Sequence, residues 1–293
     1  MKKGINIWSF PGNWTIRECI DACAKIGFEG IELVVSAKDE INMTTPDEEI
    51  IAIGEYAKSK GIAIPSIATG LYWQYSFTSE REDIREKAMK VAYRQIDVAH
   101  LLGSESVLIC PGIVGCDFTP AQVVPDAGDM EYYAGGEVVD YEVAYDRCLD
   151  CMKKLAVYAE KKKVTLGIEN IWNRFLLSPL EFRDFIDKIN SPYVGVHFDV
   201  GNVLLTGYPE HWIRILGKRI KMVHFKDYRR AVGSIDGFVD LLAGDVDWVA
   251  VKKAFDAVGY TGWANAEMCP QYKCYTEQIS VNTSLAMDKI LGR

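Results

Sequence analysis

Four short segments place acidic or imidazole side chains where an apolar run gives way to a loop. These segments are 167–170, 197–199, 223–227 and 266–267, and they contribute Glu169, Asp199, His224 and Glu267. Three carboxylates and one histidine form a hard, mostly oxygen ligand set that suits Mn²⁺, Mg²⁺ or a similar divalent ion. If the runs are parallel strands of one barrel, the four side chains converge at its mouth. The sequence therefore predicts a metal centre.

The histidines differ in their placement. Of the four in the chain, His100 and His211 fall in helical segments, whereas His224 follows the apolar run 220–223 and is the best imidazole ligand. His197 and Asp199 share a strand face because strand side chains alternate with a period of two. We expect His197 either to orient Asp199 from one layer deeper or to be a satisfied core histidine.

Eight apolar, β-branched runs alternate with helical segments, which is the pattern of a parallel sheet with crossover helices. This pattern predicts a single-domain (β/α)₈ TIM barrel over residues 1–293. The predicted strands are 4–8, 30–35, 62–67, 106–110, 164–169, 194–199, 220–225 and 263–267. The predicted helices are 15–26, 46–60, 80–102, 141–162, 179–189, 209–216 and 248–258.

One glycine-ended helix and two loops indicate which further residues could lie near the barrel mouth. Gly27 ends a helix directly before a strand, so that Glu32 could point into the barrel. The irregular region 111–139 follows the fourth strand and should overhang the strand ends, where barrel active sites lie. The loop 68–79 carries four aromatic residues. These either stack on a sugar ring or pack against the barrel.

Composition disfavours some classes of partner. The net charge of −8 disfavours nucleic acid, which requires a basic face. The sequence shows neither a signal-peptide core nor a run of ~20 apolar residues, so we expect a cytosolic protein without membrane association. The eight cysteines form no zinc pattern, and the Cys148–Cys151 pair lies inside a predicted helix. We interpret the cysteines as structural thiols, with Cys110, Cys116 and Cys269 near strand ends.

Taken as a set, the segments Ile168-Glu169-Asn170, Phe198-Asp199-Val200-Gly201-Asn202, Val223-His224-Phe225-Lys226-Asp227 and Ala266-Glu267 resemble a known superfamily. This is the sugar isomerase/epimerase superfamily with a xylose-isomerase-like barrel, and its ketose 3-epimerase branch is the most similar. The resemblance covers the whole chain. Its motifs are specific for the superfamily but do not name the substrate.

The resemblance implies that Glu169, Asp199, His224 and Glu267 hold one divalent metal, with Mn²⁺ favoured over Mg²⁺, Co²⁺ or Zn²⁺. It further implies that Glu169 and Glu267 are an acid/base pair, one on each face of a bound sugar. Such a metal stabilises the enediolate that forms when a proton next to a carbonyl is removed. A carboxylate on one face takes the proton and a carboxylic acid on the other returns one, which inverts the centre.

The sequence also departs from the family pattern. Asn202 stands where many epimerases have a second histidine, and residues 175–177 are apolar where some carry a further glutamate. Arg230 matches a family arginine six residues past the metal histidine. We expect Asn202 to bond a sugar hydroxyl, and Lys226 and Arg230 to bind a phosphate or carboxylate of the substrate. The alternative for residues 226–230 is a solvated run of charges.

Several functions therefore stay open. The first is a metal-dependent 3-epimerase or isomerase of a small sugar or sugar phosphate. The second is a dehydratase of an inositol-type or keto-sugar substrate, in which the same base expels a β-hydroxyl. An apurinic endonuclease with three zinc ions is disfavoured by the few histidines, and a non-catalytic sugar-binding barrel by the presence of both carboxylates. Self-association is also open, with Trp212 or Trp248 either exposed for it or packed internally.

Overall fold

The protein folds as a closed barrel of parallel strands, seen in a computed structural model that describes residues 1–116, 118, 132–268 and 272–293. Each strand pairs in parallel with its two neighbours, and β1 closes the ring by pairing with β10. The barrel strands are β1 Lys2–Asn6, β2 Gly30–Val34, β3 Ser66–Ala68, β4 Ser106–Ile109, β5 Thr165–Glu169, β6 Val194–Asp199, β7 Ile220–Phe225 and β10 Trp263–Ala266. A small antiparallel ribbon, β8 Asp227–Tyr228 with β9 Phe238–Val239, lies between β7 and β10 in the chain.

Eight α-helices lie in the described part of the chain and connect or follow the barrel strands. They are α1 Ile16–Ile26, α2 Asp47–Ser59, α3 Glu82–Leu102, α4 Tyr141–Lys162, α5 Pro179–Ile189, α6 Pro209–Leu216, α7 Trp248–Ala257 and α8 Gln278–Leu291. The buried faces of these helices form one hydrophobic cluster with the outer side of the barrel. The predicted (β/α)₈ class is confirmed, while the extent of the domain over the whole of 1–293 remains a prediction.

Several helices begin or end with the expected local chemistry. Thr15 caps α1 by accepting from the Glu18 backbone N–H, and the Glu18 side chain bonds the Thr15 N–H in return. Gly27 and Gly103 end α1 and α3 in the left-handed conformation, which glycine adopts at no steric cost. No helix in the described ranges is long and apolar enough to cross a membrane.

The differences from the predicted elements concern short or weakly patterned segments. The third strand begins at Ser66 rather than at residue 62, because the preceding residues form only an isolated bridge to β2. Helix α8 was not predicted from the sequence, since it contains Ser, Thr, Asn and β-branched residues that favour helix weakly. The two-residue strands of the β8–β9 ribbon are too short to leave an alternating pattern.

Candidate active site

The four residues singled out from the sequence meet at the carboxyl ends of neighbouring strands. Glu169 and Asp199 are the last residues of β5 and β6, His224 is the penultimate residue of β7, and Glu267 directly follows β10. The β6–β7 register sets Asp199 beside His224. One potential ligand atom from each of the four residues lies within 4.8 Å of the others, and all four side chains are buried. The closed barrel therefore creates a compact cluster of three carboxylates and one imidazole.

His224 is fixed in this cluster by Glu32 on β2. Its Nε2 lies 2.6 Å from Glu32 Oε1, which leaves Nδ1 facing the carboxylates. Nδ1 lies 2.7 Å from Glu267 Oε2 and 3.9 Å from both Glu169 Oε1 and Asp199 Oδ2. A carboxylate on the far nitrogen of a metal-binding histidine fixes its tautomer and ring orientation. Glu32 therefore has the position of a residue that orients a ligand.

Glu32 is itself fully enclosed and hydrogen-bonded. Asn6 Nδ2 donates to Glu32 Oε1 at 2.6 Å, and the Ser66 hydroxyl donates to Oε2. Burial disfavours the ionised carboxyl, but His224 outweighs this effect and lowers the pKa of Glu32 to about 2. The sequence indicated only that Glu32 could face the barrel interior. Its pairing with His224 joins residues 192 positions apart, for which the sequence carries no local signal.

Two asparagines form hydrogen bonds between the segments at the ends of β5 and β6, next to the carboxylates Glu169 and Asp199. Asn170 Nδ2 donates to the Asp199 carbonyl at 2.7 Å, and its Oδ1 accepts from the Asp199 N–H at 2.8 Å. The Asn202 N–H donates to Asp199 Oδ1 at 2.8 Å, and its side chain donates to the Asn170 carbonyl at 3.0 Å. The Asn202 amide also lies 3.5 Å from Glu169 Oε1. Asn202 thus stands at the edge of the cluster.

Lys226 lies over the carboxylates rather than in solvent. Its Nζ is 3.1 Å from Asp199 Oδ2 and 2.9 Å from Glu267 Oε2. The next residue, Asp227, is also buried and accepts hydrogen bonds from the Leu242 and Val246 N–H groups. For Lys226 and Asp227, the alternative of a solvated run of charges is wrong, because both side chains bond within the fold.

The carboxylates of the cluster do not share one electrostatic environment. Burial raises the pKa of Glu169 and of Asp199, in each case against the opposing charge of Lys226. Burial acts on Glu267 in the same direction, but Lys226 and His224 outweigh it and hold the pKa of Glu267 well below its ordinary value.

His197 lies two residues before Asp199 on β6, but it forms the hydrogen bonds of neither predicted alternative. Its ring packs against the His224 ring with centroids 4.2 Å apart, and its Nε2 lies 3.8 Å from Glu32 Oε2. Neither ring nitrogen has a hydrogen-bond partner in the described structure, and burial lowers the pKa of His197 to about 3. The neutral ring thus supports His224 by packing, and no hydrogen bond joins it to Asp199.

Arg230 is directed away from the cluster. Its guanidinium stacks over Tyr208 at 4.6 Å and donates to the Gly207 carbonyl at 3.0 Å. The residue lines a separate surface depression together with Asp245 and Asp247. Arg230 thus lies outside the lining of the cavity above the cluster, and its role in substrate binding stays a prediction.

A cavity of about 1070 Å³ opens above the cluster. Glu169, Glu267, Asn202 and Lys226 line its inner end. Its walls also include Tyr72, Trp73 and Tyr75 from the loop after β3, whereas Phe77 from the same loop is fully buried and does not line it. This loop therefore packs on the barrel and also lines the cavity, while stacking on a sugar ring stays a prediction.

The remaining sequence expectations concern thiols and exposed tryptophans. Cys148 and Cys151 lie within α4 as free thiols, and Cys19 and Cys23 are buried in α1. Trp212 and Trp248 are both buried, so internal packing is the correct alternative for them. Cys110 is a buried thiol, and Cys116 is half-buried. Cys269 and residues 119–131 of the predicted overhanging loop lie outside the described residues.

The sequence matches the family described as the xylose isomerase-like TIM barrel over residues 20–283. The chain belongs to this family. Its predicted resemblance to the sugar isomerase/epimerase superfamily is thereby confirmed. In this xylose isomerase-like barrel, the four clustered residues lie at the strand ends where barrel enzymes carry their active sites.

Individual relatives of this xylose isomerase-like barrel are distant but cover most of its length. A putative L-ribulose-5-phosphate 3-epimerase of Haemophilus influenzae is 25% identical over 275 residues, which is 91% of this chain and 88% of that protein. A D-psicose 3-epimerase of Enterocloster bolteae is 24% identical over 279 residues, covering 91% and 82% of the two chains. The crystal structure of a D-psicose 3-epimerase of Clostridium cellulolyticum H10 with D-tagatose has a TM-score of 0.78 at 17% identity, covering 99% of both chains. That structural likeness shows the fold.

Proposed function

We propose that this protein is a divalent-metal-dependent sugar epimerase or isomerase. Among these reactions we favour inversion at C3 of a ketose. The observation that carries this proposal is the placement of Glu169 and Glu267 in one buried cluster at the floor of a cavity. Inversion next to a carbonyl requires one group that takes a proton and another that returns one. The 3-epimerase names of the relatives support the same reaction type.

The residues of the cluster fit a bound divalent ion. Asp199 Oδ2 and His224 Nδ1 are buried and have no hydrogen-bond partner among the described residues, although Lys226 lies near the first and Glu267 near the second. Buried polar atoms without a hydrogen-bond partner are unusual unless a water or an ion interacts with them. Glu169, Asp199, His224 and Glu267 would hold the ion, which when bound supplies positive charge that stabilises a developing oxyanion. We favour Mn²⁺.

Proton transfer and binding of the sugar are carried out by side chains of the protein. Of Glu169 and Glu267, one carboxylate removes the proton at C3, and the other as a carboxylic acid returns a proton to the opposite face. Asn202 and Lys226 line the cavity beside these carboxylates, where both can donate hydrogen bonds to sugar oxygens. Glu32 keeps His224 oriented throughout. A cytosolic location and self-association also remain predictions.

The proposed function is tested by deuterium exchange. Free and phosphorylated ketoses are incubated in D₂O with Mn²⁺ or with EDTA, and products are analysed by mass spectrometry. We expect a new epimer with label at C3 only in the presence of the metal. Loss of water would select the dehydratase instead. Absence of turnover, together with absence of metal binding by the purified protein, would overturn the assignment of the metal centre.

Two variants assign the proton transfers. Glu169→Gln and Glu267→Gln should each lower kcat by about 10²- to 10⁴-fold, which is the usual contribution of an acid or base. Glu48→Gln on the exposed start of α2 is the matched control and should retain full activity. Activity retained by both active-site variants would contradict the acid/base assignment.

A further inference from the structure

The cavity above the cluster is large for a single sugar ring. Its volume of about 1070 Å³ lies just above the range of ~300–1,000 Å³ that is typical for sites of drug-sized ligands. It extends from Glu169 and Glu267 at the strand ends to residues 10–16, which follow β1, and residues 34–41, which follow β2. A monosaccharide that reacts at the carboxylates would leave this outer part unfilled.

The outer part of the cavity is built from aromatic rings. Phe10 and Trp14 stack with centroids 6.1 Å apart and planes inclined by 25°. On another wall, Trp73 meets Phe118 edge to face at 4.9 Å. Phe10, Trp73 and Phe118 are buried, whereas Trp14 is half-buried and offers the most accessible apolar face, which suits the C–H face of a sugar or another ring. The outer part therefore favours a second ring over a charged group.

Charge in the cavity argues against a phosphorylated substrate. Lys226 is held by Asp199 and Glu267, and the Arg230 guanidinium belongs to a separate depression. Phosphate groups are bound most strongly by charge-assisted hydrogen bonds from arginine or lysine. The cavity lining contains no arginine within the described ranges. The charged residues that line it are the acidic Asp39, Glu40, Glu169, Asp236 and Glu267 and the basic Lys38 and Lys226.

From this arrangement we infer that the substrate is an uncharged ketose carrying a second ring, that is, an O-glycosyl ketose. This inference rests on the proposed function. The reacting ketose lies against Glu169 and Glu267 at the inner end. The attached ring, joined through an oxygen remote from C3, lies in the outer part of the cavity near Trp14 and Trp73.

The inference is tested with three sugars that share the same C2 carbonyl and C3 proton. These are D-fructose, D-fructose 6-phosphate and 6-O-α-D-glucopyranosyl-D-fructose. We expect kcat/KM to be at least tenfold higher for the glucosyl ketose than for fructose, and lowest for the phosphate. A preference for the phosphate, or equal values for fructose and the glucosyl ketose, would overturn the inference.

Two variants in the outer part of the cavity test where the second ring lies. Trp14→Ala should lower kcat/KM for the glucosyl ketose at least tenfold while leaving that for fructose within twofold, and Trp14→Phe should retain both. Gly12→Trp is a second variant that fills the outer part, because a Cβ atom at Gly12 meets nothing within 4 Å. It should exclude the glucosyl ketose but still admit fructose. Equal losses for both sugars in a folded Gly12→Trp variant would contradict the proposed location.

Binding measurements separate this inference from the proposed function. Calorimetry on the Glu169→Gln variant gives the affinity for each of the three sugars without turnover. If fructose exchanges its C3 proton but the glucosyl ketose binds no more tightly, the inference fails and the epimerase proposal stands. If the glucosyl ketose binds most tightly but no sugar exchanges or epimerises, the proposed reaction fails, while the preference for a two-ring sugar is supported.

Discussion

Glu32 is the residue on which the position of His224 depends. It bonds His224 Nε2 at 2.6 Å and is held in turn by Asn6. Replacing Glu32 by Gln keeps the shape of the side chain but removes the charge that fixes the ring. Because partners of this kind typically contribute 10- to 100-fold in metal affinity or activity, we expect a loss of about that size in Mn²⁺ affinity measured by calorimetry.

A glutamate just before the same strand provides the control for this prediction. Glu29 directly precedes β2, accepts hydrogen bonds from the Lys3 N–H at 2.7 Å and from Arg293, and is not part of the cluster. Glu29→Gln should leave Mn²⁺ affinity unchanged. An unaltered affinity in Glu32→Gln would show that the imidazole needs no carboxylate to hold it.

The site residues differ in how well their positions could be predicted from the sequence. The sequence identified Glu169, Asp199, His224 and Glu267 because each terminates an apolar run, and such positions are visible locally. Their meeting within one cluster is a property of the structure, and their roles as ligands and catalysts remain proposals. The sequence could not show that Arg230 lies in a depression separate from that of Lys226, because this depends on tertiary contacts with Gly207 and Tyr208.

The turn after β6 lies tightly against the end of β7, and this contact requires a glycine. Gly201 has an ordinary helical backbone with φ of −71°, so alanine would be tolerated locally. An added Cβ would nevertheless lie 2.6 Å from Lys226 Cβ and 3.0 Å from its backbone carbonyl. We expect Gly201→Ala to shift Lys226 relative to Asp199 and Glu267, and to lower kcat/KM at least tenfold while the barrel still folds.

Circular dichroism tests whether the Gly201→Ala barrel still folds, and steady-state kinetics measure the loss in its kcat/KM. Gly54→Ala is the control, since its Cβ would meet the flexible end of Leu102 at 3.2 Å on the helical exterior of the barrel. It should retain activity. Full activity in Gly201→Ala would mean that the turn can move away from β7 without cost.

Element bounds followed from sequence where the pattern was strong. The sixth and seventh strands were predicted with the bounds that β6 and β7 have, because both are short, mostly apolar runs flanked by polar or turn residues. Helix α8 has no comparable pattern, yet it forms because Ile279, Met287 and Ile290 are buried against the rest of the protein. Tertiary packing in this case outweighs weak helix propensity.

At the scale of the whole molecule, metal binding should couple to stability. An ion that binds only the folded barrel stabilises it by about 2.7 kcal/mol when its free concentration is 100 times Kd. We therefore expect Mn²⁺ to raise Tm by several degrees relative to EDTA, as measured by calorimetry. The Asp199→Asn variant should lose most of this rise. An equal rise in both proteins would place the ion outside the cluster.

The sequence by itself determined the (β/α)₈ class and the acidic or imidazole strand ends. The spacing of apolar residues, the glycines that end helices and the residue types at strand ends are all local properties of the chain. Barrel closure determined everything that joins distant segments. It brought Glu32 to His224 across 192 positions and placed Lys226 over Asp199 and Glu267. It also opened the cavity between loops that are far apart in the chain. Such contacts depend on strand register and on the directions that loops take, and neither is encoded in any single segment.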